Sequence, residues 1–145
     1  MAHRILPFYN VDAAVGPGRP NKIDDVMLVQ FFIKEIHDFN APMNQLTTFP
    51  DEPLSVDGNA NQNLFDWILA FQELAKQMGG QVVKDGAVDS VPGFSMTRTQ
   101  LTHSIYTIII MNNFFLGQQP AIYPHLWDHP RIPQALSLAL FTNFK

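Results

Sequence analysis

Three stretches of the chain place apolar side chains at helical spacing, and breaker-rich stretches separate them. Val26, Val29, Ile33 and Ile36 recur at three- and four-residue steps, which predicts a helix from about Val26 to His37. Asp24 or Asp25 is expected to cap it, because a carboxylate accepts from first-turn N–H groups and suits the positive end of the helix dipole. Leu64, Trp67, Ile68, Phe71, Leu74 and Ala75 define a second helix, opened by Asn61 or Asn63 and closed by Gly79-Gly80. Thr97-Arg98-Thr99-Gln100 has the form of a capping box, so a third helix is expected to begin there and run to about Phe115. Its residues Leu101, Ile105, Ile108 and Ile109 belong to a segment that is apolar nearly all round. A helix of that kind is central to a fold or wedged between the fold and a partner.

The segments between these helices carry the punctuation. Residues 1 to 23 hold Pro7, Gly16, Pro17, Gly18 and Pro20, which predicts an extended arm with a short strand around Ile5 to Tyr9. Residues 38 to 60 read as loop, and Asp85-Gly86 and Pro92-Gly93 are turn signals. After Gly117 a Pro-rich tail ends in a short helical pattern from Gln134 to Phe141. The expected organisation is therefore an arm over 1–23, a helical domain over 24–116 and a tail over 117–145. The fold class is mainly α: three helices with short extended segments.

Composition sharpens one point. Hydrophobic residues make up 46% of the chain and charged residues 15%, which leaves little charge to cover three strongly apolar helices. Met27 and Phe31 on the first helix, and Phe65 and Leu69 on the second, form stripes beyond what one core contact needs. With Tyr123 and Trp127 of the tail they are candidate interface residues, and an oligomer or larger assembly is expected; a tail folded back over the helices is the rival. The net charge of −4, with nine scattered Lys and Arg, offers no basic stripe for phosphates, so no nucleic-acid partner is expected. Cysteine is absent, excluding disulfides and thiolate chemistry. No apolar run reaches signal-peptide or membrane-span length, which points to synthesis in the cytosol and, if the protein leaves, export by a dedicated machine.

Candidate chemistry is sparse. His125 and His129 are spaced like zinc ligands on one helix face, but Pro124 and Pro130 bracket them and argue for a surface turn. His103 and Ser104 are adjacent on the expected third helix and so point apart, unlike a nucleophile and its base. No enzyme and no cofactor are expected. Asp51, Glu52 and Asp57 are loop carboxylates expected to be solvated. Asp57-Gly58 makes a tight turn by its own chemistry, since Gly takes positive φ and Asp bonds to the backbone ahead of it. Asn59, Asn61, Gln62 and Asn63 add amides that suit sugar hydroxyls or peptide carbonyls, or serve only as a polar loop and helix cap.

Several of these segments together resemble the peptidoglycan-binding-domain-like family. Val56-Asp57-Gly58, a short loop, and a helix ending Ile68-x-x-Phe71-Gln72 look like its repeated turn-and-helix pattern, without a gap. Asp24-Asp25-Val26-Met27-Leu28-Val29-Gln30-Phe31-Phe32-Ile33 is similar to the family's first helix, and Asp85-Gly86-Ala87-Val88 to its second Asp-Gly turn. Val15-Gly16-Pro17-Gly18 and Asn21 look like bacterial members, so the likeness covers roughly residues 15 to 116. Ala60-Asn61-Gln62-Asn63-Leu64 stands where the family writes Phe-Gly-Pro-x-Thr, and Trp67 where it places a small residue. The resemblance implies a three-helix peptidoglycan-binding-like fold and a non-catalytic module for cell-wall peptide or glycan. On that reading Asp57, Gly58, Asn59, Asn61 and Asn63 are the candidate ligand residues. The alternative is a structural or adaptor protein of a phage-tail-like or secretion assembly, using the same fold for protein–protein contact.

Overall fold

The computed structural model of the 145-residue chain describes residues 6–39, 45, 47–92 and 105–143. Within them the protein is mainly helical: α1 (Ile23–Phe39), α2 (Gln62–Gln77), α3 (Thr107–Gln118), a 3-10 segment (Tyr123–Asp128) and α4 (Gln134–Asn143). The described residues hold no sheet, only one antiparallel bridge in which Val15 and Val88 exchange both backbone bonds, at 3.0 and 2.7 Å.

α1 is the hub. Eleven of its 17 residues are buried, far more than one amphipathic stripe requires, because α3, α4 and α2 all pack on it. Its entry differs from expectation. The helix begins at Ile23, so Asp24 and Asp25 sit inside the first turn, and neither is the cap. Asp25 instead turns its carboxylate toward the arm and accepts the N–H groups of Asp12 (2.9 Å) and Ala13 (3.1 Å). Burial pushes the Asp25 carboxyl above the usual carboxylate range, opposed by those two backbone donors.

α2 follows its sequence closely. Asn61 accepts from Leu64 N–H at 2.9 Å as the N-cap, while Asn63 lies within the first turn. At the other end Gly79, at φ +93°, donates to Lys76 O and Gly80 donates to Ala75 O, the paired bonds of a Schellman stop. α3 is shorter than expected. It starts at Thr107, since Tyr106 has extended backbone angles and Ile105 donates its N–H to Gln81 O. The capping box 97–100 and Leu101 lie outside the described residues. At its far end α3 runs through Gly117 to Gln118.

Arm and tail share the core of the helices. Tyr9, Val11 and Val15 of the arm, and Tyr123, Leu126, Leu136 and Leu140 of the tail, belong to the same buried cluster as Phe32, Phe71 and Phe115. A polar knot at its centre joins them. Asn112 of α3 takes the Tyr9 N–H and the Tyr123 hydroxyl proton on Oδ1 and donates to Tyr9 O; the Tyr9 hydroxyl donates to Tyr123 O. Leu6 to Tyr9 form no strand, and Ile5 lies outside the described residues.

This arrangement corrects part of the expected interface. Met27 (5% exposed), Phe31 (1%) and Tyr123 (3%) are buried in the chain's own core and present nothing to a partner. The tail covers Phe31 of the surplus stripe on α1, with the His129 ring edge-on to it at 5.0 Å, and Met27 packs beside the Gly58 turn. Phe65, Leu69 and Trp127 are half-buried.

Candidate binding face

Two glutamines set the turns from which the candidate face is built. Gln30 of α1 accepts the N–H groups of Asp57 (3.0 Å) and Gly58 (2.8 Å) on Oε1, and donates to Asp57 Oδ1 and Asn59 O. Gln72 of α2 accepts those of Asp85 (3.1 Å) and Gly86 (2.9 Å), and donates to Asp85 Oδ1, Ala87 O and Thr107 Oγ1. In each turn the aspartate also caps the N–H two residues ahead, at Asn59 and Ala87, 3.0 Å in both cases. The Asn59 N–H is the main reason the Asp57 carboxyl sits below the usual carboxylate range. Gly58 is buried at φ +79°, and a Cβ there would lie 2.8 Å from Ile23 Cγ2, so only glycine fits.

The expected ligand residues therefore divide. Asp57 and Gly58 are committed to the turn, and Asn61 to the helix cap. Asn63 leans toward the loop before it, with Nδ2 3.3 Å from Pro53 O. Asn59 is exposed. Asp57, Asn61 and Asn63 still meet in one recess with Gln30 and Leu54, but its volume is about 40 Å³. That is room for water rather than a sugar ring, since pockets for ligands of drug size are several hundred Å³.

Larger depressions adjoin it. The segment Pro50–Leu54 crosses α2 and is pinned there by Trp67, whose Nε1–H donates to Glu52 O at 2.9 Å. The Trp67 ring forms a cluster with Phe49 (5.2 Å) and His37 (5.0 Å). A groove of about 240 Å³ opens beside this cluster, lined by Lys34, His37, Asp38, Pro50, Asp51 and Trp67 among others. It shares Pro53 and Leu54 with the small recess. Across Pro50 lies a second groove of about 350 Å³, where Thr48, Phe49, Asp66, Leu69, Glu73 and Lys84 contribute. The three depressions form one track along α2. Lys34 and Asp38 pair at 3.5 Å beside it, and Lys84 and Glu73 at 3.0 Å.

Sequence reasoning missed Lys34, His37, Phe49, Pro50, Glu73 and Lys84, which lie on four separate segments and share no motif. The glutamines were visible as part of the Val-Gln and Phe-Gln patterns, but their bonding was not.

The histidine pair does not converge. His125 is exposed, whereas His129 is buried, with Nε2 3.0 Å from Gln119 Oε1 and 3.1 Å from Glu35 Oε1. Among the described residues no three His, Asp or Glu side chains gather as metal ligands. His103 and Ser104 lie outside the described residues. No helix among the described residues is long and apolar enough to cross a membrane.

No protein-family model, curated protein or solved structure matches the chain.

Proposed function

We propose that this protein is a non-catalytic recognition module that binds cell-wall peptide or glycan along the α2 track. The observation that carries the reading is the continuity of the recess and the two grooves through the shared residues Pro53, Leu54 and Pro50. An extended polymer needs an elongated surface, and this one alternates amides (Asn61, Asn63), aromatic edges (Phe49, His37) and charges of both signs. Peptidoglycan presents hydroxyls, amides, carboxylates and amines in that kind of succession. The resemblance of the Asp-Gly turns and their following helices supports the same ligand class.

Co-sedimentation with purified sacculi tests this directly. Bound protein should be released by soluble muropeptides, and amide resonances of Asn63, Thr48 and Lys34 should move on titration. Protein that stays in the supernatant with sacculi of several wall chemistries would sink the proposal.

One observation favours a second reading, an assembly or adaptor role. α4 turns Leu138 (66% exposed) and Phe141 (48%) outward, and Phe141 packs edge-on to the half-buried Trp127 at 5.9 Å. Oligomeric or particulate protein in light scattering, abolished by Leu138→Ser with Phe141→Ser, is the outcome that would select it.

A further inference from the structure

Glu35 lies almost wholly inside the protein, its side chain 4% exposed, and Arg131, Gln119 and His129 of the C-terminal segment gather round its carboxylate. Arg131 grips it with two bonds, Nε to Oε2 at 2.9 Å and a terminal guanidinium nitrogen to Oε1 at 2.8 Å. Gln119 Nε2 donates to Oε1 at 3.3 Å, and His129 Nε2 stands 3.1 Å from the same oxygen. The geometry fixes the His129 proton. Nδ1 accepts the Arg131 backbone N–H at 3.1 Å and must be unprotonated, so Nε2 carries the hydrogen and donates to Glu35 or Gln119. The Phe31 and Phe115 rings stand 5.0 and 6.0 Å from the imidazole.

We propose that His129 is an acid-sensitive latch: protonation at Nδ1 breaks its bond to the Arg131 N–H and frees the segment from Gln119 to Asn143 from α1 and α3. A second proton at Nδ1 would point at the Arg131 N–H, two donors face to face, so the turn 129–131 must open to accept it. The charged groups facing the ring are Glu35 of α1 and Arg131 of the tail, with Asp38 of α1 acting on Arg131. Burial is the largest influence on His129 and holds it below its ordinary value of 6.5; Glu35 opposes this and Arg131 adds to it. A histidine lowered in the closed state favours closure above that value and loses the advantage as pH falls. Glu35 is also held below its ordinary range: burial, the largest influence, pushes it up, but Arg131 and Gln119 outweigh it, so its loss follows at lower pH with the same sign. Opening would bare Phe31 and Phe115 on one side and Leu136 and Leu140 on the other.

The full-length protein suffices for the test. Imidazole nitrogen shifts at pH 7.5 should report the Nε2–H tautomer for His129. Amide-exchange protection over 119–143, corrected for intrinsic rates, should fall by up to about tenfold per pH unit below about 6.5 while α2 keeps its own. His129→Gln should remove the fall in the tail's protection that sets in below about 6.5, leaving only the loss due to Glu35 at lower pH. A Nδ1–H tautomer, a His129 titration at or above the ordinary value, or a tail that loosens only together with α2 would each overturn the latch. Should His129→Gln fail to fold, the first two readings on the unaltered protein still decide.

Discussion

Gln30 and Gln72 do the same work on different helices: each spans an Asp-Gly turn with its amide, taking two backbone N–H groups on the oxygen and giving both protons back. The turn after α1 and the turn after α2 are thus two copies of one device. Both glutamines are buried, and they differ in that the Gln72 amide also reaches Thr107 at the start of α3. Gln72→Ala should therefore cost about 3 kcal/mol and Gln30→Ala about 1–2, the difference reflecting the additional buried bond of Gln72 to Thr107 Oγ1. Urea unfolding of the two variants checks the order, and equal midpoints would contradict it.

Phe71 is 1% exposed and packs edge-on to Phe114 of α3 at 5.7 Å. Phe71→Ala should lose roughly 3–5 kcal/mol, through lost transfer energy and an unfilled cavity. A melting temperature within a degree of the parent would mean that α2 does not face the core as described.

Removal of the tail after Gly117 tests the shared core. A tail that served only to bind a partner would leave the core as stable as before, and a tail folded back over the helices would not. The structure predicts a folded but weakened core, because Tyr123, Leu126, Leu136 and Leu140 all belong to the buried cluster. The shortened protein should keep helical α2 but melt well below the parent in circular dichroism; a transition near the parental temperature would refute this.

Glu35→Gln should destabilise the protein by about 1–2 kcal/mol at pH 7, since a buried carboxylate is lost but its partner Arg131 is solvent-exposed. The sign follows from the lowered Glu35 pKa: stability is present above the ordinary value near 4.5 and is lost as pH falls through the folded value below it. The gap between parent and variant should close in strong acid, which chemical unfolding at pH 7 and pH 3 measures.

On the proposed wall-binding face, Lys34→Ala with Asp51→Ala should weaken sacculus binding by roughly tenfold, the loss of about one charge-assisted hydrogen bond. Lys34 is half-buried and Asp51 exposed, so the melting temperature should stay near the parent's. Unchanged binding would remove the groove beside Trp67 from the site.

Local chemistry in the sequence determined α2 almost completely, because its Asn61 cap, apolar period and Gly79-Gly80 stop all act within a few residues. The Asp57-Gly58 turn was legible for the same reason: Asp57 bonds two residues ahead and Gly58 supplies its own positive φ. Long-range partners decided the rest. Asp25 reads as a cap and becomes an anchor for the arm; Ile105 reads as helix and gives its N–H to Gln81. Met27 and Phe31 read as surplus surface, but Met27 packs beside the Gly58 turn, and His129, from the tail more than ninety residues away, stands edge-on to Phe31. Glu35 has no sequence signal at all, because its meaning rests on Arg131. Periodicity and caps record what a helix can bury and where it can stop. Which neighbour buries it, and which polar groups are left to pair, depends on how distant segments close over one another, and only the tertiary structure holds that information.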